Sequence, residues 1–278
     1  MNKATKIKGR TISIFCSLPF QQQLLIECIG PFFRGWYEEG EEKPLCYFYR
    51  TIESPSLLTV VLIDEDERMI DQFMDQLISE IEKNGELIKV QINRNEQIQV
   101  PPYAFIESME EGLAGNTFDQ LSFYSSITIL EVLEESKGNI EKKSIMTTDI
   151  MLLTALFFEI DSAKLSEFFR EYLLHIKKEP YILKSNEDII PRLTNPNALT
   201  RINSLRAIAS QRGETSSIYR RWVTYLAYFE ERFKQMTEVE LKKWIWEIIF
   251  QNNRRLGLTV DQELVILQRL QRVFQILN

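Results

Sequence analysis

Thr11-Ile12-Ser13-Ile14-Phe15-Cys16-Ser17-Leu18-Pro19 opens with β-branched and aromatic residues in alternation and closes with a serine and a proline placed to start a helix. Side chains along a strand point to opposite faces in turn, so the alternation over 11–16 predicts a strand. Ser17 as a cap with Pro19 in the first turn predicts a following helix, and Leu24, Leu25, Cys28, Ile29 and Phe32 recur there at helical spacing. Working outward, 44–50 and 57–64 are two further strand-like runs. Ile52-Glu53-Ser54-Pro55-Ser56 between them suits a hairpin loop, so the two are expected to pair antiparallel. From Asp66 an amphipathic helix carries Met69, Ile70, Phe73, Leu77 and Ile81 on one face and stops at Asn84-Gly85, and 87–92 reads as a fourth strand. The order βαββαβ predicts a ferredoxin-like unit over residues 1–100.

After Val100-Pro101-Pro102 the apolar period becomes helical, over 117–136, 145–160, 163–177, 215–236, 238–254 and 259–277. Thr237 with Glu240, and Thr259 with Gln262, have capping-box spacing before the last two of these. Residues 178–214, with Pro180, Pro191, Pro196 and Gly213, read as the least regular part and a place for a lid or substrate loop. The predicted class is α+β: a ferredoxin-like unit packed on a mainly helical bundle over 101–278, with an active-site cleft at their junction. There is no internal repeat or low-complexity tract.

A chain of 278 residues, 44% hydrophobic and 26% charged, can bury a substantial core. Its longest apolar runs, 57–63 and 150–158, fall well short of the roughly 20 residues a bilayer-crossing helix needs, and the N-terminal residues lead into a strand. No membrane partner is implied, and a cytoplasmic location is expected. Three cysteines, Cys16, Cys28 and Cys46, sit in apolar contexts without CxxC spacing and read as buried reduced thiols. A net charge of −7 argues against a general nucleic-acid binder, and the strip Lys3, Lys6, Lys8 and Arg10 reads as a solvated arm.

His175 is the one histidine, on an amphipathic helix without cysteine partners, so neither a metal site nor a Ser-His-Asp triad is supported. With no GxxxxGK[ST] and no strand-linked GxGxxG, no nucleotide cofactor is implied either. Several polar residues stand where packing does not require them. Tyr103 and Glu107 share a face if their segment is helical, and otherwise belong to an exposed turn. Ser122, Tyr124, Ser125 and Ser126 interrupt an apolar helix, where hydroxyls either bond back to the preceding turn or line a cavity. Ser216, Ser217 and Tyr219 begin a helix after Gly213. Ser216 or Ser217 reads as a cap, and Tyr219 as a phenol able to face a cleft, since a helix start is where backbone donors are free. Gln251-Asn252-Asn253-Arg254-Arg255 ends a strongly apolar helix, either as a C-terminal cap favoured by the helix dipole or as a buried cluster that needs partners.

Leu45-Cys46-Tyr47-Phe48-Tyr49-Arg50, Tyr103-Ala104-Phe105-Ile106-Glu107 with Gly112 and Gly115, 122–133, and Asn253-Arg254-Arg255-Leu256-Gly257 with Glu263 follow one another in an order that resembles the thiopeptide-type bacteriocin biosynthesis domain. That family is similar to the C-terminal elimination domain of class I lantibiotic dehydratases. Its glutamate-eliminating members carry an arginine-rich strand after the first Arg, another Arg after the Tyr/Glu element and a His before Asn-Arg. Here those places hold Leu57-Leu58-Thr59-Val60-Val61-Leu62, no Arg between Glu107 and Gly115, and Ile248-Ile249-Phe250. Expelling glutamate needs a base at the α-carbon and cations for the leaving carboxylate, so their loss argues against that reaction.

The branch without this equipment resembles the thiopeptide pyridine synthases. The resemblance implies a leader-bearing, azole-containing precursor peptide, two of whose dehydroalanines are joined by a formal [4+2] aza-cycloaddition. Water and the leader are then lost, and neither metal nor cofactor is used. Partners would be that peptide and other enzymes of the pathway. Under this reading Glu107 and Tyr219 are the proton-transfer groups and Ser217 joins them in the catalytic set. Ser217, Gln251 and Asn253 orient the substrate amide, Arg50 and Arg254 pair with acidic or carbonyl groups, and Tyr103, Ser122 and Tyr124 complete the binding surface. Tyr219 rests on the local argument alone, not on a family motif. The leader is expected to add as a strand to the sheet edge of the first unit. The alternatives are a stand-alone glutamate eliminase with relocated catalytic groups and a non-catalytic scaffold that presents the precursor.

Overall fold

The structure is a computed structural model and describes residues 10–38, 45–50, 56–63, 67–84, 89–93, 111–158, 160, 162–176, 195–210 and 217–277. Its class is α+β, mainly helical with one small antiparallel sheet. The chain divides into two units, the first taking the sheet and the helices through Glu134, the second running from Glu135 onward.

In the first unit β1 (Arg10–Phe15) is followed by α1 (Leu18–Leu24), a π-helical turn (Leu25–Ile29) and α2 (Gly30–Glu38). Then come β2 (Leu45–Arg50), β3 (Leu57–Ile63), α3 (Glu67–Asn84), β4 (Lys89–Asn93) and α4 (Glu111–Glu135). The sheet order is β2-β3-β1-β4 and every adjacent pair is antiparallel. Alternation in β1 places Ile12 and Ile14 inside, opposite Val60 and Leu58. β3, apolar but for Thr59, is buried on both faces, and on one of them Val61 clusters with Tyr47 and Tyr49 of β2.

Ser17 caps α1 by accepting a bond from the Phe20 N–H, as the sequence predicts. The helix that follows is not continuous, because its register widens to a π turn. Pro31 has no N–H, and its ring would crowd the carbonyl four residues back in a regular helix. The Gly30 N–H bonds the Leu25 carbonyl, and a Cβ on Gly30 would lie 2.8 Å from that oxygen.

The second unit begins with α5 (Ile140–Phe157), capped by Asn139, whose side chain accepts from the Lys142 N–H at 2.8 Å. From Met146 to Phe157 every α5 side chain is buried, so this is the unit's central helix, packed by α7 (Asn195–Ser210), α8 (Ile218–Ala227) and α10 (Glu238–Arg255). Beside it α6 (Ser162–Ile176) pairs with α11 (Val260–Leu277), and α9 (Glu230–Phe233) is a single turn. Both predicted capping boxes form, Thr237 with Glu240 and Thr259 with Gln262. At the end of α10 Gly257 takes φ +76°, and the Gly257 and Leu258 N–H groups bond the carbonyls of Arg254 and Asn253. That is a Schellman stop, which favours glycine because a left-handed φ costs a Cβ-bearing residue energy.

Two expectations are corrected. The stretch 178–214 contains a full helix, α7: Pro196 lies in its first turn, where a missing N–H costs nothing, so the proline marks a start. The predicted helix over 215–236 breaks at Tyr228-Phe229 into α8 and α9.

Candidate functional site

Three helices of the second unit bring one polar residue each to a common point. Ser217 stands in extended N-cap geometry before α8, and its carbonyl accepts the N–H groups of Arg220 and Arg221 at 3.1 and 3.0 Å. Its hydroxyl makes no capping bond. Tyr219, in the first turn of α8, donates its phenol proton to Asp149 Oδ2 at 2.7 Å. Asp149 projects from α5 and is 2% exposed, and a buried carboxylate requires partners. Arg201 of α7 supplies two, donating from Nε to Oδ1 at 3.0 Å and from Nη2 to Oδ2. Arg201 Nη2 also reaches the Tyr219 oxygen at 3.4 Å, and the guanidinium lies 5.6 Å from the phenol ring. Burial raises the Tyr219 pKa, the Asp149 charge and hydrogen bond add to the rise, and Arg201 opposes it. The result is a protonated phenol held between a buried carboxylate and a cation whose side chain is 42% exposed.

A second cluster surrounds Glu263 on α11, which is wholly buried. Its carboxylate accepts from Tyr172 Oη of α6 at 2.6 Å, from Asn253 Nδ2 of α10 at 2.6 Å, and from Arg254 Nη2. Gln251 donates from Nε2 to Glu247 Oε1 at 2.7 Å. Burial raises the Tyr172 phenol strongly, with Glu263 adding to the rise and Arg254 opposing it. Asn253 Oδ1 and Arg254 Nε have no hydrogen-bond partner among the described residues. Asn253 Nδ2 lies 3.7 Å from the Met151 sulfur on α5. Met151 and Asp149, two apart on one helix, point about 200° from one another around its axis. The Tyr219 cluster and the Asn253 cluster therefore hang on opposite sides of α5.

In the first unit Arg50 ends β2 at 7% exposure and donates from Nε to Gln21 Oε1 at 2.8 Å. Burial lowers its pKa to about 10, which leaves it a cation at neutral pH. Ser122 is buried on α4 and Tyr124 is half-buried there, its carbonyl accepting the Thr128 hydroxyl at 3.0 Å. The Ser126 hydroxyl accepts the Phe48 N–H of β2 at 3.1 Å. Tyr47 donates to Asp119 Oδ1 at 3.0 Å. Tyr103 and Glu107 lie outside the described residues.

Asp149, Arg201, Tyr172 and Glu247 escape sequence reasoning. An acid at Asp149, directly before the apolar residues Ile150 to Leu153, is a usable signal, because an unpaired buried carboxylate is rarely tolerated. Arg201 offers none while its segment reads as a loop. A groove of about 310 Å³ opens among Phe158, Phe168, Leu241 and Ile245, with the Lys242–Glu171 ion pair at its edge, and none of the sequence candidates lines it. Among the described residues no group of three or more His, Cys, Asp or Glu could hold a metal ion, and no helix is long and apolar enough to cross a membrane.

No protein-family model matches the sequence, and no curated protein matches it. Solved structures do. TsrL superposes over 97% of this chain and 95% of its own, with a TM-score of 0.61 at 12% identity. The tRNA dependent lantibiotic dehydratase MibB from Microbispora sp. 107891 superposes over 99% of this chain, with a TM-score of 0.55 at 10% identity, and the match spans 28% of MibB. The likeness is one of fold.

Proposed function

We propose, from the fold shared with TsrL and with a segment of MibB, that this chain is an enzyme of ribosomal-peptide modification. Its reaction is the pyridine-forming macrocyclisation of a leader-bearing, azole-containing peptide by formal [4+2] aza-cycloaddition between two dehydroalanines. The observation that carries this reading is the Tyr219 phenol, 2.7 Å from the buried Asp149 carboxylate. The azadiene partner is the iminol form of a backbone amide, so a proton must leave nitrogen and arrive on oxygen, and a neutral phenol with an acceptor behind it can mediate both transfers. The ring carbons and nitrogen bond as the alkenes meet, and loss of water and of the leader as an amide makes the ring aromatic. Holding a flexible peptide so that its alkenes meet contributes up to roughly 7–11 kcal/mol, and the reaction itself calls for neither metal nor nucleotide.

Tyr219 and Glu107 are the proton-transfer groups, and Ser217, with its hydroxyl not used as a cap, orients the substrate amide. Tyr103 and Tyr124 contact the peptide. Arg50, Ser122, Gln251, Asn253 and Arg254 are 7% exposed or less, so their part is to hold the frame on which the accessible groups stand. The first unit, read as ferredoxin-like, binds the leader by strand addition along β4, where Lys89, Gln91 and Ile92 are exposed. The opposite edge is engaged by Ser126 at Phe48.

The likeness to MibB favours one second reading, a stand-alone glutamate eliminase. Incubation with a bis-dehydroalanine peptide and with a glutamylated serine peptide separates the two by product mass. The first reading requires cyclised core and free leader, the second requires new dehydroamino acids, and a peptide bound but unchanged in mass marks a scaffold.

A further inference from the structure

We infer that Asp149 and Arg201 are positioning residues that act through Tyr219, with Asp149 the inner end of a two-bond proton relay and Arg201 the clamp that holds it. The inference rests on the reading above in one respect, that the Tyr219 oxygen touches the substrate. The geometry is specific. The phenol proton already points at Asp149 Oδ2, 2.7 Å away, and Arg201 Nη2 approaches one lone pair of the Tyr219 oxygen at 3.4 Å, so the remaining lone pair is the acceptor. Asp149 cannot turn, because Arg201 grips both of its oxygens.

Proton transfer in such a row balances without any other reactant. A substrate amide N–H gives its proton to Tyr219 Oη as the phenol proton passes to Asp149 Oδ2, so negative charge moves from Asp149 to the amide. In the return step Tyr219 delivers a proton to the amide oxygen and recovers one from Asp149, leaving the iminol and the original carboxylate. At no point must Tyr219 exist as a phenolate. That matters because its burial and the Asp149 charge both oppose that ion. The groups facing Tyr219 are Asp149 from α5, Arg201 from α7 and, further off, Glu135 at the end of α4, itself paired with Lys142 of α5 at 3.3 Å. The Asp149–Arg201 pair is neutral as a whole, so the site suits an uncharged N–H or O–H acid better than an ion.

The test is carbon-13 NMR of the protein labelled at tyrosine Cζ, with Tyr219→Phe assigning the signal, alongside turnover of the bis-dehydroalanine peptide. In Asp149→Asn the Tyr219 Cζ resonance at neutral pH shifts, because the phenol no longer donates to a carboxylate. In the same variant kcat falls by about 10²-fold or more while KM changes little. Arg201→Gln, on a side chain 42% exposed, keeps the test alive should the first variant not fold. Its kcat falls while KM changes little, and Arg201→Lys, which keeps a cation, recovers part of the loss, a pattern that a merely structural tie does not produce. A Tyr219 Cζ signal unmoved in folded Asp149→Asn overturns the inference, as does wild-type kcat in that variant or in Arg201→Gln. If the wild-type protein leaves the peptide unchanged, the functional reading fails, and the Cζ shift alone decides whether Asp149 holds the phenol proton.

Discussion

Asn253 and Glu263, ten residues apart on either side of the Gly257 turn, meet with the Asn253 amide nitrogen 2.6 Å from the Glu263 carboxylate. The left-handed stop at Gly257 reverses the chain, and the capping box at Thr259 starts α11 in the register that aims Glu263 back at α10. Tyr172 and Arg254 complete the set of donors around that carboxylate.

Removing Glu263 therefore leaves a buried guanidinium without its counter-charge. Glu263→Ala is expected to destabilise the fold by about 3–5 kcal/mol, read by urea denaturation. Glu263→Gln, which keeps an acceptor, is expected to cost less. Equal, small losses in both variants would contradict the account of this cluster.

Asp119 gives a pH dependence of definite sign. Burial raises its carboxyl from an ordinary 3.8 to about 6, and the Tyr47 hydrogen bond opposes the rise without cancelling it. Between these values the folded chain holds a proton that the unfolded chain has released, so stability falls as pH rises through the window. The loss is roughly 2–3 kcal/mol, complete a little above pH 6. Denaturation curves from pH 4 to 7 should show this component in the wild type and lack it in Asp119→Asn.

Ser126→Ala strips the acceptor from the Phe48 N–H, a buried backbone donor on the edge strand β2. Losing a buried hydrogen bond costs about 0.5–1.5 kcal/mol. Thermal unfolding should register that loss, and Ser126→Thr, which keeps the hydroxyl, should recover part of it.

What was legible in the sequence is what short-range physics decides. Alternation marks β1, a run apolar but for Thr59 marks the doubly buried β3, and threonine followed three residues later by Glu or Gln marks the starts of α10 and α11. The π turn is a steric consequence of Gly30-Pro31 that apolar spacing does not register. Pro196 hides α7 because a proline in a first turn and a proline in a loop look alike until the following residues are seen to pack. The polar run at Gln251 is visible as one needing partners, but Glu247 lies one turn earlier and Glu263 across a reversal of the chain. Asp149 and Arg201 meet only because α5 and α7 pack side by side, a contact 52 residues apart in sequence that no local pattern encodes.

Tyr219→Phe and Glu107→Gln, each with circular dichroism unchanged, are expected to lower turnover of the peptide by about 10²–10⁴-fold. Unaltered turnover in both would remove these residues from the chemistry.

The mass spectrum of a leader-bearing, azole-containing bis-dehydroalanine peptide, recorded before and after incubation with the protein alone, bears most directly on the function. A core lighter by one water and by the leader amide, with the leader appearing as its own species, is the predicted result. A peptide recovered at its starting mass from protein shown to bind it would contradict the cyclase reading outright.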